Sequence, residues 1–111
     1  MPSRRRPRRL LDAAPVFAAL GDRTRLSIVS RLCADGPQST AGLTHGSGVS
    51  RQAVSKHLDA LEHAGVVGSV RAGRERVWSL DAARVAEARA LLEQVSAQWD
   101  ARLERLRAIV E

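Results

Sequence analysis

Arg51, Gln52, Ser55 and Lys56 offer a guanidinium, an amide, a hydroxyl and an ammonium within one short stretch. The same stretch carries Val54, Leu58 and Leu61 at steps of three and four, the spacing of one apolar helix face. At ~100° per residue, Gln52, Ser55, Lys56 and Asp59 fall on the opposite side, with Arg51 on its flank. A helix anchored by one face and presenting these groups on the other suits reading base edges in the major groove of DNA. Ser50 is placed to cap its first turn and Gly65 to end it in a left-handed residue. An ordinary amphipathic surface helix would show the same pattern, so the surrounding elements decide.

The chain has 111 residues, enough for one compact domain and too few for two. Its hydrophobic share is 44% but its aromatic share is 3%, so the core must be built from Leu, Val and Ala. That favours helices over extensive sheet, because strands favour aromatic and β-branched residues. One cysteine excludes an internal disulfide, no leader segment is visible, and no apolar run reaches the ~20 residues needed to cross a bilayer. A soluble cytoplasmic protein is expected.

The net charge of +6 argues for a polyanionic partner. Arg4, Arg5, Arg6, Arg8 and Arg9 supply five of those charges, so residues 10–111 carry only +1. Pro2 and Pro7 keep this arm out of a helix. Residues 1–9 are thus expected to be a disordered basic arm that lies along phosphates or enters a minor groove, the bland alternative being a solvated tail. Residues 10–111 are expected to form the folded DNA-binding and dimerisation domain.

Within that domain, Leu10 to Leu20 predicts a short apolar helix, with Pro15 tolerable only near a first turn. Gly21 ends it and Asp22 caps a second helix over about residues 23–34, marked by Leu26, Val29 and Leu32. Ser39 to His45 predicts a short third helix, and Gly46-Ser47-Gly48 a turn into the helix that Ser50 opens. Helix, short turn, helix is the helix-turn-helix arrangement. Beyond Gly65 the pattern shifts to short β-branched runs, residues 66–70 and 77–80, joined by Arg71-Ala72-Gly73-Arg74-Glu75-Arg76. These predict a β-hairpin wing whose Arg71, Arg74 and Arg76 straddle phosphates. The fold class is mainly α with a small β-hairpin.

Asp81 caps a last helix over roughly residues 82–110. Its apolar stripe, which includes Leu92, Val95, Trp99, Leu103 and Leu106, runs ~43 Å at ~1.5 Å per residue, longer than one small domain can cover. A twofold dimer would bury the stripe against a second copy, with Phe17 of the first helix as companion and Trp99 as anchor.

The chain resembles the arsenic-repressor (ArsR/SmtB) family of bacterial winged-helix repressors in three segments: Phe17-Ala-Ala-Leu-Gly-Asp-Arg-Thr-Arg-Leu26, the block Ser50 to Gly65, and Gly73-Arg-Glu-Arg-Val-Trp-Ser-Leu80. In order and spacing the likeness covers roughly residues 14–110. It implies a winged helix-turn-helix homodimer, paired through the first and last helices, that binds an inverted repeat in a promoter. It also implies that Arg51, Gln52, Ser55 and Lys56 occupy the groove-contact positions, while His57 sits nearer the packed face in an orienting or structural role.

The chain departs from the family's metal sensors. Residues 38–44 hold no Cys-x-Cys pair, and the last helix has no histidine. Cys33, His45, His57 and His63 are the whole supply of cysteine and histidine, too scattered for a three- or four-ligand site, so no metal or other cofactor is expected. Ser47 stands where family members carry a larger apolar residue. Cys33, following Leu32 at a helix end, reads as a core residue rather than a redox sensor. No nucleophile–base pair, phosphate-cradling loop or paired carboxylates stand out, so an enzyme is not expected.

The favoured reading is a sequence-specific repressor acting as a homodimer on double-stranded DNA, with its inducer, small molecule or protein, unknown. Two other classes stay open. A non-specific architectural DNA binder would lose nearly all binding without residues 1–9. A dimeric protein-interaction module would show no salt-dependent binding to DNA.

Overall fold

A computed structural model describes residues 10–110. A 3-10 turn over Leu10–Ala13 leads into α1 (Ala14–Leu20), and Pro15 lies in its first turn, where its missing N–H costs no helical bond. Asp22 then opens α2 (Arg23–Asp35): its carboxylate accepts the backbone N–H of Arg25 at 3.0 Å. A two-residue strand β1 (Gln38–Ser39) precedes α3 (Thr40–Thr44), whose N-cap Ser39 accepts from the Gly42 N–H at 3.0 Å. Next come α4 (Arg51–His63), β2 (Val67–Ala72), β3 (Glu75–Leu80) and the long α5 (Ala82–Val110). Asp81 caps α5 by accepting from Arg84 N–H at 3.1 Å. No helix among the described residues is long and apolar enough to cross a membrane.

The expected hairpin is one part of a three-stranded antiparallel sheet, ordered β1–β3–β2. The added strand is too short to leave a periodic signature. It exists because Gln38 and Ser39 pair with Trp78 and Val77 of β3. The wing is also longer than expected. Val67 pairs with Leu80 and Ala72 with Glu75, so Arg71 and Arg76 lie within the strands, and only Gly73 and Arg74 turn between them. Gly73, at φ +64°, makes that tight turn accessible.

One core joins these elements. Leu43, Val54, Leu58, Leu61 and Val66 are fully buried, each stabilising the fold by ~1.5–3 kcal/mol. Ile28 and Leu32 from α2, Val16 and Ala19 from α1, Trp78 from β3 and Ala88 from α5 close around them. Trp78 satisfies its indole inside this core by donating from Nε1 to Thr40 Oγ1 at 2.9 Å, which ties the wing to α3.

Two details of α2 correct the sequence reading. Its buried row is Ile28 and Leu32, with Val29 partly covered, and Leu26 is exposed. Cys33 is exposed as well. It lies ~100° around the helix from Leu32, enough to carry it out of the core.

Candidate nucleic-acid interface

Both predicted ends of α4 are present. Ser50 Oγ accepts from Ala53 N–H at 3.1 Å, and Gly65, just past the helix, sits at φ +82°. The Arg84 side chain of α5 packs over this glycine so closely that an added Cβ would meet its Nε at 3.0 Å. With Val54, Leu58 and Leu61 fully buried, Arg51, Gln52 and Lys56 are exposed in the first two turns. Ser55 is half-buried, because three positions before Leu58 it lies only ~60° around the helix from that buried residue. The acidic residues Asp59 and Glu62 follow in the later turns. Cationic and amide groups therefore concentrate at the helix N-terminal half, the end that contacts bases in helix-turn-helix proteins.

His57 points back toward the domain. Its Nδ1 lies 3.4 Å from Arg25 Nη1 and 3.8 Å from Asp22 Oδ2. Arg25 donates from Nε to the Ala19 carbonyl at 2.7 Å, so one side chain ties the end of α1 to α4. Asp22 is held below the usual carboxylate pKa, first by the Arg25 backbone N–H, which outweighs the opposing effect of desolvation, and further by the electrostatic pull of Arg25 and His57.

In the wing, Arg71 and Arg76 face each other directly across the strands. Like charges opposite one another destabilise a sheet, and an anion lying along this face would relieve that repulsion. The Arg76 guanidinium lies over the Trp78 ring at 5.7 Å from its centroid, which restrains it. Arg74 occupies the turn and is exposed. Arg4, Arg5 and Arg6, with Arg8 and Arg9, lie outside the described residues.

The predicted pairing surface is open. Phe17 and Leu20 of α1 form an apolar groove with Val85, Ala88 and Leu92 of α5. From Leu92 to Val110 every residue of α5 is exposed, and Trp99, at 63%, is the largest apolar side chain among them.

Sequence reasoning missed three contacts. These are Arg25 with His57, Trp78 with Thr40, and Arg31, whose guanidinium donates to the carbonyls of Gly42, Leu43 and His45. Each joins residues at least eleven positions apart, so no local spacing announces it.

A family model described as a helix-turn-helix domain matches residues 20–70. An HTH-type transcriptional regulator of Mycobacterium tuberculosis is 43% identical over 78 residues, covering 70% of this chain and 72% of the relative. An ArsR-like transcriptional regulator from Rhodococcus has the same fold, with a TM-score of 0.75, 40% identity and coverage of 91% of this chain and 94% of that one. A homodimeric winged helix-turn-helix DNA-binding domain from Mycobacterium bovis, described as a possible ArsR-family regulator, has a TM-score of 0.63 at 26% identity, covering 86% of this chain and 85% of that one. With its helix-turn-helix, wing and long terminal helix, the chain belongs to the ArsR family of winged helix-turn-helix transcriptional regulators.

Proposed function

We propose that the protein is a repressor that binds an inverted-repeat operator as a homodimer. The observation that carries this reading is the apolar stripe of α5, which stays exposed from Leu92 to Val110, past the other described elements. A second copy, related by a twofold axis, is the simplest cover. It would bury Trp99, Leu103 and Leu106 together with the groove at Phe17. Twofold symmetry then demands a palindromic site, because the two α4 helices read the same sequence on opposite strands. The homodimeric domain from Mycobacterium bovis supports that assembly by analogy.

Arg51, Gln52, Ser55 and Lys56 read bases or adjacent phosphates, while Arg71, Arg74 and Arg76 hold the wing against the backbone. The arm, with Arg4, Arg5 and Arg6, adds sequence-independent phosphate contacts. Occupying a promoter is enough to block polymerase, so repression needs no chemistry from the protein. Such a regulator acts on the chromosome, in the cytoplasm.

Selection from a pool of random duplexes tests the proposal. The expected product is an enriched palindrome whose half-sites are about one helical turn apart, bound by a species of twice the protomer mass in sedimentation. Lone protomers gripping a non-repetitive site would overturn it. Deleting residues 1–9 is expected to weaken binding while keeping the selected sequence. Near-total loss would favour an architectural binder.

A further inference from the structure

α3 spans Thr40–Thr44, barely more than one turn, and a helix this short is not stable by itself. Its last carbonyls have no intrahelical partner. Arg31, one turn before the end of α2, reaches across to them. Its Nη2 donates to the Gly42 carbonyl at 2.8 Å, and its Nη1 to those of Leu43 at 2.8 Å and His45 at 3.0 Å. Three oxygens thus converge on one planar guanidinium, a geometry that an ammonium cannot reproduce. The positive charge also sits at the negative end of the helix.

Directly after this clamp the chain turns toward α4. Gly46 and Gly48, at φ +73° and +77°, make the turn, and Ser47 bridges it by accepting the Val49 N–H at 3.2 Å. The turn therefore begins from a point fixed by α2, and it ends at Ser50, the N-cap of the reading helix. The other end of α3 is fixed by the bond from Trp78 to Thr40.

We propose that Arg31 is a positioning residue for DNA recognition: it sets the angle between α3 and α4, and hence the pose of Arg51, Gln52 and Lys56, without touching DNA. The inference rests on α4 being the reading helix. Arg23 lines the same cleft, is exposed, and gives a control that removes equal charge from the same place.

The test measures affinity for a duplex selected by the wild-type protein, across a salt series, for Arg31→Ala, Arg31→Lys and Arg23→Ala. Arg31→Ala is expected to bind about ten- to a hundredfold more weakly. Its slope of log affinity against log salt should not change, because no phosphate contact is lost. Guanidinium chloride well below denaturing levels should restore part of the binding, and equal sodium chloride should not. Arg31→Lys is expected to fall between Arg31→Ala and wild type, and Arg23→Ala to keep its specificity. Amide exchange over residues 45–49 should accelerate in Arg31→Ala while α2 stays protected.

Unchanged affinity in a folded Arg31→Ala would overturn the proposal. A slope lowered by about one unit would do so too, by making Arg31 a phosphate contact. If Arg31→Ala does not fold, Arg31→Lys decides, and wild-type affinity there ends the proposal. If the wild-type protein enriches no duplex, the reading-helix assignment fails. Amide exchange then still decides whether Arg31 holds the turn, and unchanged exchange rejects it.

Discussion

Gln52 and Lys56 stand one helical turn apart on the exposed side of α4, whereas Arg74 sits at the tip of the wing. An amide can discriminate a base edge, and a guanidinium at the tip of a hairpin mainly meets phosphate. Gln52→Ala is therefore expected to relax preference at one base pair per half-site, a loss of ~1–3 kcal/mol of discrimination. Arg74→Ala should weaken all sequences alike and lower the salt slope by about one unit. Identical specificity profiles for the two variants would contradict this division. Asp22 makes a pH prediction. Its folded pKa is depressed, so it stabilises the fold above the unfolded value, and that contribution disappears as pH falls through the lower folded value, below about pH 4. Asp22→Asn keeps the cap without the charge, so its melting temperature should fall less steeply with acidification. Caps such as Ser50, Asp22 and Asp81 could be read from the sequence because each acts on a residue three positions away. Arg25 and Arg31 could not, because their partners come from other elements. Cys33 was misplaced by its neighbour: next to a buried leucine, a helical residue usually faces elsewhere.

Helix α4 followed from periodicity, since it buries the regular row Val54, Leu58 and Leu61, whereas α2, α5 and the two long strands followed from their caps, their length and the change of pattern after Gly65. β1 and the true extent of the wing did not. A two-residue strand has no period, and Arg71 and Arg76 carry a charge pattern that reads as loop until the opposite strand supplies their ladder. Beside the β1–β3 ladder and the shared core, a buried side-chain bond from Trp78 to Thr40 ties the sheet to the helix-turn-helix. Thr40→Val keeps the shape but leaves the indole N–H without an acceptor. Urea unfolding is expected to show a loss of ~1–3 kcal/mol, the cost of a buried unsatisfied donor. No loss would mean that packing and the β1–β3 ladder suffice to hold the wing.

The body of the domain is complete without the last two thirds of α5, whose residues from Leu92 to Val110 are all exposed. That imbalance could be read from length alone, as a stripe too long for the domain it joins. Leu103→Asp is expected to weaken self-association by about thirtyfold or more, measured by sedimentation equilibrium, because it places a charge in the middle of the stripe. Helical content should hold, since the side chain is already in water. Affinity for an isolated half-site should then change far less than affinity for the full site.

The chain has two tryptophans in opposite surroundings, Trp78 at 2% exposure and Trp99 at 63%. Their emission should therefore be separable by colour. The blue component, from the indole bonded to Thr40, should persist on dilution and vanish only on melting. The red component should shift toward shorter wavelength as protein is concentrated and one molecule's α5 shields another's. A native fluorescence titration, with no label attached, would then follow folding and assembly as two distinct signals.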